Sequence, residues 1–140
     1  MSKRILTLAA LLLCGSFCAV FAADAPPDMQ PGLWEITMEI DMPGMPVKMP
    51  PMTHTQCITQ KDLVPRNTDP EQQCKIIDTR IEGDTVTWQM ACTAGGQHMT
   101  ADGRATYYGD KFDGAMQMNM EGQNMQMEYR MTGHRVGPCQ

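Results

Sequence analysis

The segment from Ala115 to Met131, AMQMNMEGQNMQMEYRM, constrains the fold more than any other part of this chain. Methionine alternates with polar residues on both sides of a Gly122-Gln123 pair. A period of two residues is typical of a β-strand, and the glycine predicts a tight turn between two antiparallel strands. Pairing across that turn predicts one face made of Met120 with Met125, Met118 with Met127, and Met116 with Tyr129. The opposite face is polar, so we expect a hairpin that buries its methionine face.

The methionine face of this hairpin has a second interpretation, as an array of thioether ligands for a soft metal ion. We favour burial, because a strand of this kind must bury one face and no other apolar side chain is available here. Composition supports burial, because the chain after residue 22 contains all but the first of the 15 methionines, yet only two leucines, four valines and one phenylalanine. Methionine must therefore supply much of the core.

The N-terminus predicts a secretory signal peptide over residues 1–22. Lys3 and Arg4 form a short basic region, residues 5–21 are almost entirely apolar, and small residues suited to cleavage end at Ala22. We prefer a signal peptide to a transmembrane anchor, because the apolar run is short and a cleavage site follows it. The predicted location of the protein is therefore the periplasm or the cell exterior.

The cysteines beyond the signal peptide predict two disulfides, because an even number in an exported chain is typical of a disulfide framework. Cys74 and Cys92 each lie nine residues from Gly83, which is the centre of a predicted turn. Symmetric strand pairing about Gly83 places the two cysteines opposite each other, close enough for a disulfide. We therefore predict Cys74–Cys92, and Cys57–Cys139 by elimination. The same register predicts Ile76 opposite Met90, Asp78 opposite Trp88, and Arg80 opposite Val86.

The remaining pattern completes an all-β prediction. Apolar and polar residues alternate over 34–42, shorter strands are predicted at 53–58 and 104–108, and prolines and mixed charges predict a loop over 59–73. We expect a single antiparallel meander, formed as a strongly curved sheet or a partly closed barrel, because an open sheet would leave its edges exposed. The predicted organisation is a signal peptide (1–22), a flexible leader (23–32) and one disulfide-linked β domain (33–140).

Four short segments follow one another along the chain: Pro31-Gly32-Leu33-Trp34-Glu35, the methionine- and proline-rich stretch 42–52, Cys57-Ile58-Thr59, and Gly137-Pro138-Cys139. In this order they resemble the domain-of-unknown-function family 3617, which comprises small secreted bacterial proteins. The resemblance implies export and a compact disulfide-linked β domain. It supplies no catalytic residues, because the activity of the family is not established.

The stretch MPGMPVKMPPM, residues 42–52, is the candidate binding site of the sequence. Its four prolines exclude a helix, so we expect an inter-strand loop. Thioethers are soft, uncharged ligands that suit Cu(I) and Ag(I). The predicted metal site comprises Met42, Met45, Met49, Met52 and His54. Two alternatives are that these methionines cap the sheet, or that they form an exposed site of sacrificial oxidation.

No catalytic site is predicted. The chain has no serine after Ser16, and bridging of the four exported cysteines removes thiol nucleophiles. Without Lys3 and Arg4, the chain has nine of its 11 basic residues and all 16 acidic ones, which gives a net charge of −7. This negative charge argues against nucleic acid and anionic membranes as partners. We expect a non-enzymatic binding or accessory protein for a small apolar ligand or a protein partner. The alternatives are a Cu(I)- or Ag(I)-binding protein and a methionine oxidation sink.

Overall fold

A computed structural model describes residues 25–44, 46, 49–66, 73–123 and 125–140. The signal peptide predicted over residues 1–22 lies outside these ranges. The described residues form β-strands and contain no helix, so none of them belongs to a helix long and apolar enough to cross a membrane. The strands are β1 (Gly32–Asp41), β2 (Met52–Ile58), β3 (Gln73–Glu82), β4 (Thr85–Ala94), β5 (Gln97–Tyr108), β6 (Lys111–Met120) and β7 (Gln126–Gly137).

The strands form one antiparallel sheet, curled into a half-barrel, in the order β2-β1-β7-β6-β5-β4-β3. This confirms the predicted all-β fold with a strongly curved antiparallel sheet. Strands β3 to β7 follow one another as a meander, and β1 then pairs with β7. Strands β2 and β3, consecutive in the chain, therefore form the two edges of the sheet. The chain between β2 and β3 is too long for a tight hairpin turn, so the two strands need not be neighbours in the sheet.

Both predicted cysteine pairs are present at disulfide distance. Cys74 and Cys92 are direct partners across β3 and β4, with their Cα atoms 4.0 Å apart. Cys57, in edge strand β2, pairs with Cys139 beyond β7, at a Cα separation of 5.4 Å. The second bridge therefore fastens one edge of the sheet to the C-terminal tail, across the intervening strand β1.

The predicted hairpin of alternating methionines is confirmed as β6 and β7. Met118 is opposite Met127 and Met116 is opposite Tyr129, while Gln117 and its partner on β7 lie on the other face. Met116 and Met118 are buried and Gln117 is exposed. Burial of the methionine face thus decides which side of this hairpin faces the interior.

The predicted register of the hairpin formed by β3 and β4 is wrong beyond Ile76. The register shifts at Ile77, so that Thr79 is opposite Trp88 and Ile81 is opposite Val86. Asp78 and Arg80 are consequently exposed, and the Nε of Arg80 donates a hydrogen bond to Asp78 at 3.3 Å. A β-bulge adds one residue to one strand and changes which side chains face inward. Here it turns Ile81 toward the core in place of the charged Arg80, whose burial would be costly.

The N-terminal end of the domain packs earlier than the predicted boundary at residue 33. Met29 is buried, and the backbone on both sides of it bonds to the turn between β5 and β6. Gly109 donates to the carbonyl of Asp28 at 2.7 Å and accepts from the amide of Gln30 at 2.9 Å. The packed domain thus includes the last five residues of the leader predicted over 23–32.

Three aromatic side chains of the core form one cluster on the concave face of the sheet. Trp34, Tyr107 and Phe112 come from β1, β5 and β6, and their ring centroids lie 5.4–5.8 Å apart. Phe112 fits because its neighbour on β7 is Gly133, where a Cβ atom would collide with the phenyl ring. Methionines complete the core around this cluster, as the composition predicts.

Candidate ligand-binding cavity

The segment after β2 folds back over the concave face of the sheet. Leu63, Val64 and the following Pro65 are buried. The Gln56 side chain holds the segment against β2, because it donates to the carbonyl of Val64 at 3.3 Å and accepts from the amide of Arg66 at 2.8 Å. The hydroxyl of Tyr107 donates to the carbonyl of Leu63. Residues 63–66, which we call the covering segment, therefore close one side of the half-barrel.

We expect the stability of the protein to fall at alkaline pH, because Tyr107 must stay protonated to hold the covering segment. Burial raises the pKa of Tyr107 from its ordinary value of 10.0, and the Asp62 carboxylate raises it further. Below about pH 10 both folded and unfolded chains keep the phenol proton. Above that pH the unfolded chain releases it first, so the free energy of unfolding decreases as pH rises.

Urea unfolding at about pH 8 and about pH 11 measures this effect, with Tyr107→Phe as the control. The variant is expected to lose about 1 kcal/mol at the lower pH, because it lacks the hydrogen bond to Leu63. Its further loss at the higher pH should be smaller than that of the unsubstituted protein. Equal alkaline losses in the two proteins would contradict a role for Tyr107.

A cavity of about 330 Å³ lies inside the half-barrel, between the covering segment and the inner face of the sheet. Its volume is at the lower end of the range of about 300–1,000 Å³ found for small-molecule sites. Methionine dominates its wall. The lining residues are Met38, Met90, Met116, Met118, Met131, Ile76, Tyr129, Cys74, Cys92, Pro65, Arg66 and Lys75.

Curvature of the sheet brings the cavity methionines together. Met38 belongs to β1, Met90 to β4, and the others to β6 and β7, so four strands contribute to one wall. Each of these methionines is at most 8% exposed. A thioether side chain is unbranched and polarizable, and it adapts to the shape of an apolar neighbour. The wall can therefore contact an apolar molecule without a large rearrangement of the backbone.

Three side chains bring polarity to the cavity. The hydroxyl of Tyr129 has only a weak partner among the described residues, the sulfur of Met127 at 3.9 Å. Burial raises the pKa of Tyr129, so its hydroxyl is a protonated donor at neutral pH. Arg66 and Lys75 are exposed, so the cavity reaches the surface where they lie. The interior is thus apolar with one hydroxyl, and the charged groups are at the mouth.

The described residues of the predicted metal site do not line this cavity. Met42 is half-buried beyond β1, Met49 and Met52 are 44% and 46% exposed, and Met45 lies outside the described residues. His54 lies on β2, with its Nε2 3.1 Å from the carbonyl oxygen of Arg66. A carbonyl only accepts, so Nε2 is the donor in this hydrogen bond. Metal binding by these residues stays a prediction.

The structure also describes where histidine, cysteine and carboxylate side chains lie. Within the described ranges, no three or more of them are grouped so as to hold a metal ion.

Sequence reasoning did not identify the cavity methionines as a site. Alternation indicates that Met90, Met118 and Met131 face inward, but only the curl of the sheet shows that they face one another.

A second concavity, of about 620 Å³, lies on the outer face of the sheet. Two rows of exposed charged side chains form its walls. One row contains Arg80, Arg104 and Arg130, and the other contains Asp78, Asp102 and Glu128. Exposed charges of both signs are well solvated and contribute little binding energy. The methionine-lined cavity is therefore the stronger candidate.

Comparison with known proteins gives a family and no closer relative. The model of a family described as "Protein of unknown function (DUF3617)" matches residues 29–139. The match begins at Met29, which is a buried residue of the core. Searches of curated proteins and of solved structures found no match.

Proposed function

The chain belongs to the DUF3617 family, and we propose that it is an exported, non-enzymatic protein that binds a small apolar ligand in the methionine-lined cavity. The observation that carries this proposal is an apolar space inside the domain, large enough for a small molecule and open at one end. A completely filled interior would have favoured a protein partner. Small-molecule sites are typically concave and mostly apolar, with few polar groups.

Two further features support the proposal. The charged lining residues Arg66 and Lys75 are exposed, and no acid lines the cavity wall beside them in the part of the chain that the structure describes. Acid–base catalysis typically uses a positioned acid and base. The two cysteine pairs at disulfide distance are compatible with an oxidising compartment, as expected for a periplasmic or secreted protein. The signal peptide predicted over residues 1–22 agrees with the same location.

Ligand binding is tested with a neutral apolar fluorophore, N-phenyl-1-naphthylamine, whose emission rises in apolar surroundings. The matched variants are Ile76→Trp and Ile77→Trp. Ile76 lines the cavity, whereas its neighbour in the chain, Ile77, does not line it and is 64% exposed. An indole at position 76 fills the cavity, so we expect it to weaken binding at least about tenfold, or about 1.4 kcal/mol. The Ile77 variant is expected to bind as the unsubstituted protein does.

Two outcomes would count against the proposal. Absence of fluorophore binding by the unsubstituted protein would refute a cavity that accepts apolar molecules. Equal binding by the two tryptophan variants would place the fluorophore elsewhere on the surface. Far-ultraviolet circular dichroism of both variants checks that the sheet is retained.

Binding of Cu(I) or Ag(I) by the loop 42–52 is a second proposal, supported by the exposed thioethers of Met49 and Met52. Titration of the protein with Cu(I) against a competing chelator tests it. Replacement of Met45, Met49 and Met52 by leucine keeps the apolar volume and removes the sulfur. We expect this variant to lose affinity, and equal affinity in both proteins would refute a site in the loop.

The third proposal is a methionine oxidation sink that uses exposed thioethers. Met49, Met52 and Met125 are more than 40% exposed, whereas the cavity methionines are buried. Peroxide treatment followed by peptide mass spectrometry should then show sulfoxide at the exposed positions first. Oxidation at equal rates in both groups would contradict this order.

A further inference from the structure

The charged residues that line the cavity are both basic. Arg66 and Lys75 lie at its mouth, and no carboxylate belongs to its wall among the described residues. This is the opposite of the overall composition, in which 16 acidic residues exceed 11 basic ones. Among the described residues, the charges that line the cavity are therefore opposite in sign to the net charge of the chain.

Arg66 approaches the mouth from the covering segment, whose backbone is firmly held. Its amide donates to Gln56 at 2.8 Å, and its carbonyl accepts from His54 at 3.1 Å. Among the described residues, the guanidinium donates one bond, from Nη2, to Asp62 at 2.9 Å. An arginine side chain has five donor hydrogens, so further donors stay available to a ligand. Asp62 itself does not line the cavity.

Lys75 approaches from the opposite edge of the sheet. It lies on edge strand β3, between Cys74 and Ile76, which face the cavity. Alternation along the strand puts the Lys75 side chain on the other face, so its long stem reaches the opening around the edge of the sheet. Within the described residues Lys75 has no carboxylate at ion-pair distance. The covering segment is bound to β2, so Arg66 and Lys75 flank the opening from the two edges of the half-barrel.

We infer that the ligand is a single-chain amphiphile with an anionic headgroup. Its alkyl chain occupies the methionine-lined cavity, and its headgroup stays at the mouth beside Arg66 and Lys75. A charge is costly to bury, so the headgroup belongs where the cations are exposed. The small volume of the cavity favours one chain over two. This inference rests on the proposed function and adds the chemistry of the ligand.

Three probes with the same decyl chain test the inference: decanoate, decanol and decyltrimethylammonium. Each displaces the neutral fluorophore from the unsubstituted protein at low ionic strength. We expect decanoate to bind about three- to tenfold more tightly than decanol, as two exposed cations allow. The cationic probe should bind most weakly, and added salt should reduce the preference for decanoate because it screens exposed charges.

Paired variants assign the preference to the mouth. Arg66→Gln with Lys75→Gln is expected to remove the preference for decanoate while decanol binding is retained. The control, Arg104→Gln with Lys111→Gln, removes the same charge from exposed positions that do not line the cavity. It should keep the preference.

The outcomes separate this inference from the proposed function. Equal binding of decanoate and decanol would overturn the anionic headgroup but leave apolar binding intact. Binding of none of the three probes would overturn both. A preference that survives in the Arg66 and Lys75 variant, or disappears in the control, would show that the mouth does not recognise the headgroup.

Discussion

Replacing Cys57 and Cys139 together by alanine is expected to lower the free energy of unfolding by about 4–5 kcal/mol. This bridge joins residues 82 positions apart, so it removes much conformational entropy from the unfolded chain. It also fastens edge strand β2 to the C-terminal tail across β1. The same substitutions at Cys74 and Cys92, which are 18 positions apart, are expected to cost about 3 kcal/mol by this entropic term.

Urea unfolding of both double variants measures the two losses. Cys57 is exposed, so its replacement removes little packing, whereas Cys92 is buried and adds a packing loss to its pair. Hydrogen exchange in the variant at Cys57 and Cys139 should increase first in β2. A loss of less than about 3 kcal/mol in the Cys57 and Cys139 variant would contradict the entropic role of the long bridge.

Trp34→Ala is expected to destabilise the domain by about 3–5 kcal/mol. Trp34 is fully buried, and its ring lies 5.8 Å from Tyr107 and 5.7 Å from Phe112. Its Nε1 also donates to the carbonyl of Gln30 at 3.2 Å, which joins the segment before β1 to the core. Methionines surround this cluster, and the large void left by the indole cannot be filled by any one of them.

Tyr108→Ala is the matched control for Trp34→Ala, because Tyr108 is an aromatic strand residue that is 56% exposed. We expect it to change the free energy of unfolding by less than about 0.5 kcal/mol. The stability loss caused by Trp34→Phe should fall between those of the two alanine variants, because it keeps an aromatic ring but loses the hydrogen bond to Gln30. Similar losses for Trp34→Ala and Tyr108→Ala would mean that the aromatic cluster does not stabilise the core.

The described residues of the loop 42–52 do not line the cavity, which makes the two proposed functions separable. Buried thioethers form the apolar wall of the cavity, whereas the thioethers of Met49 and Met52, which belong to the proposed metal site, are exposed. Ile76→Trp is expected to affect only the first, and replacement of the loop methionines by leucine only the second. Methionine serves as a hydrophobic residue in one place and is available to solvent in the other.

Local pattern in the sequence predicts the hairpins because their strands are neighbours in the chain. Alternation about Gly122 correctly pairs Met118 with Met127, and symmetry about Gly83 correctly pairs Cys74 with Cys92. The bulge at Ile77 escapes this reasoning. The bulge leaves one residue unpaired in the strand ladder, which is locally unfavourable, and only the packing of Ile81 into the core offsets that cost.

The amino-acid sequence by itself determined the strands, the two cysteine pairs and the use of methionine as the main core residue. These depend on period, spacing and composition, which are local properties of the chain. Only the tertiary structure decided the pairing of β1 with β7, the seating of the covering segment and the convergence of methionines on one cavity. Such contacts join distant residues through the curl of the sheet, and residue spacing along the chain does not encode that curvature.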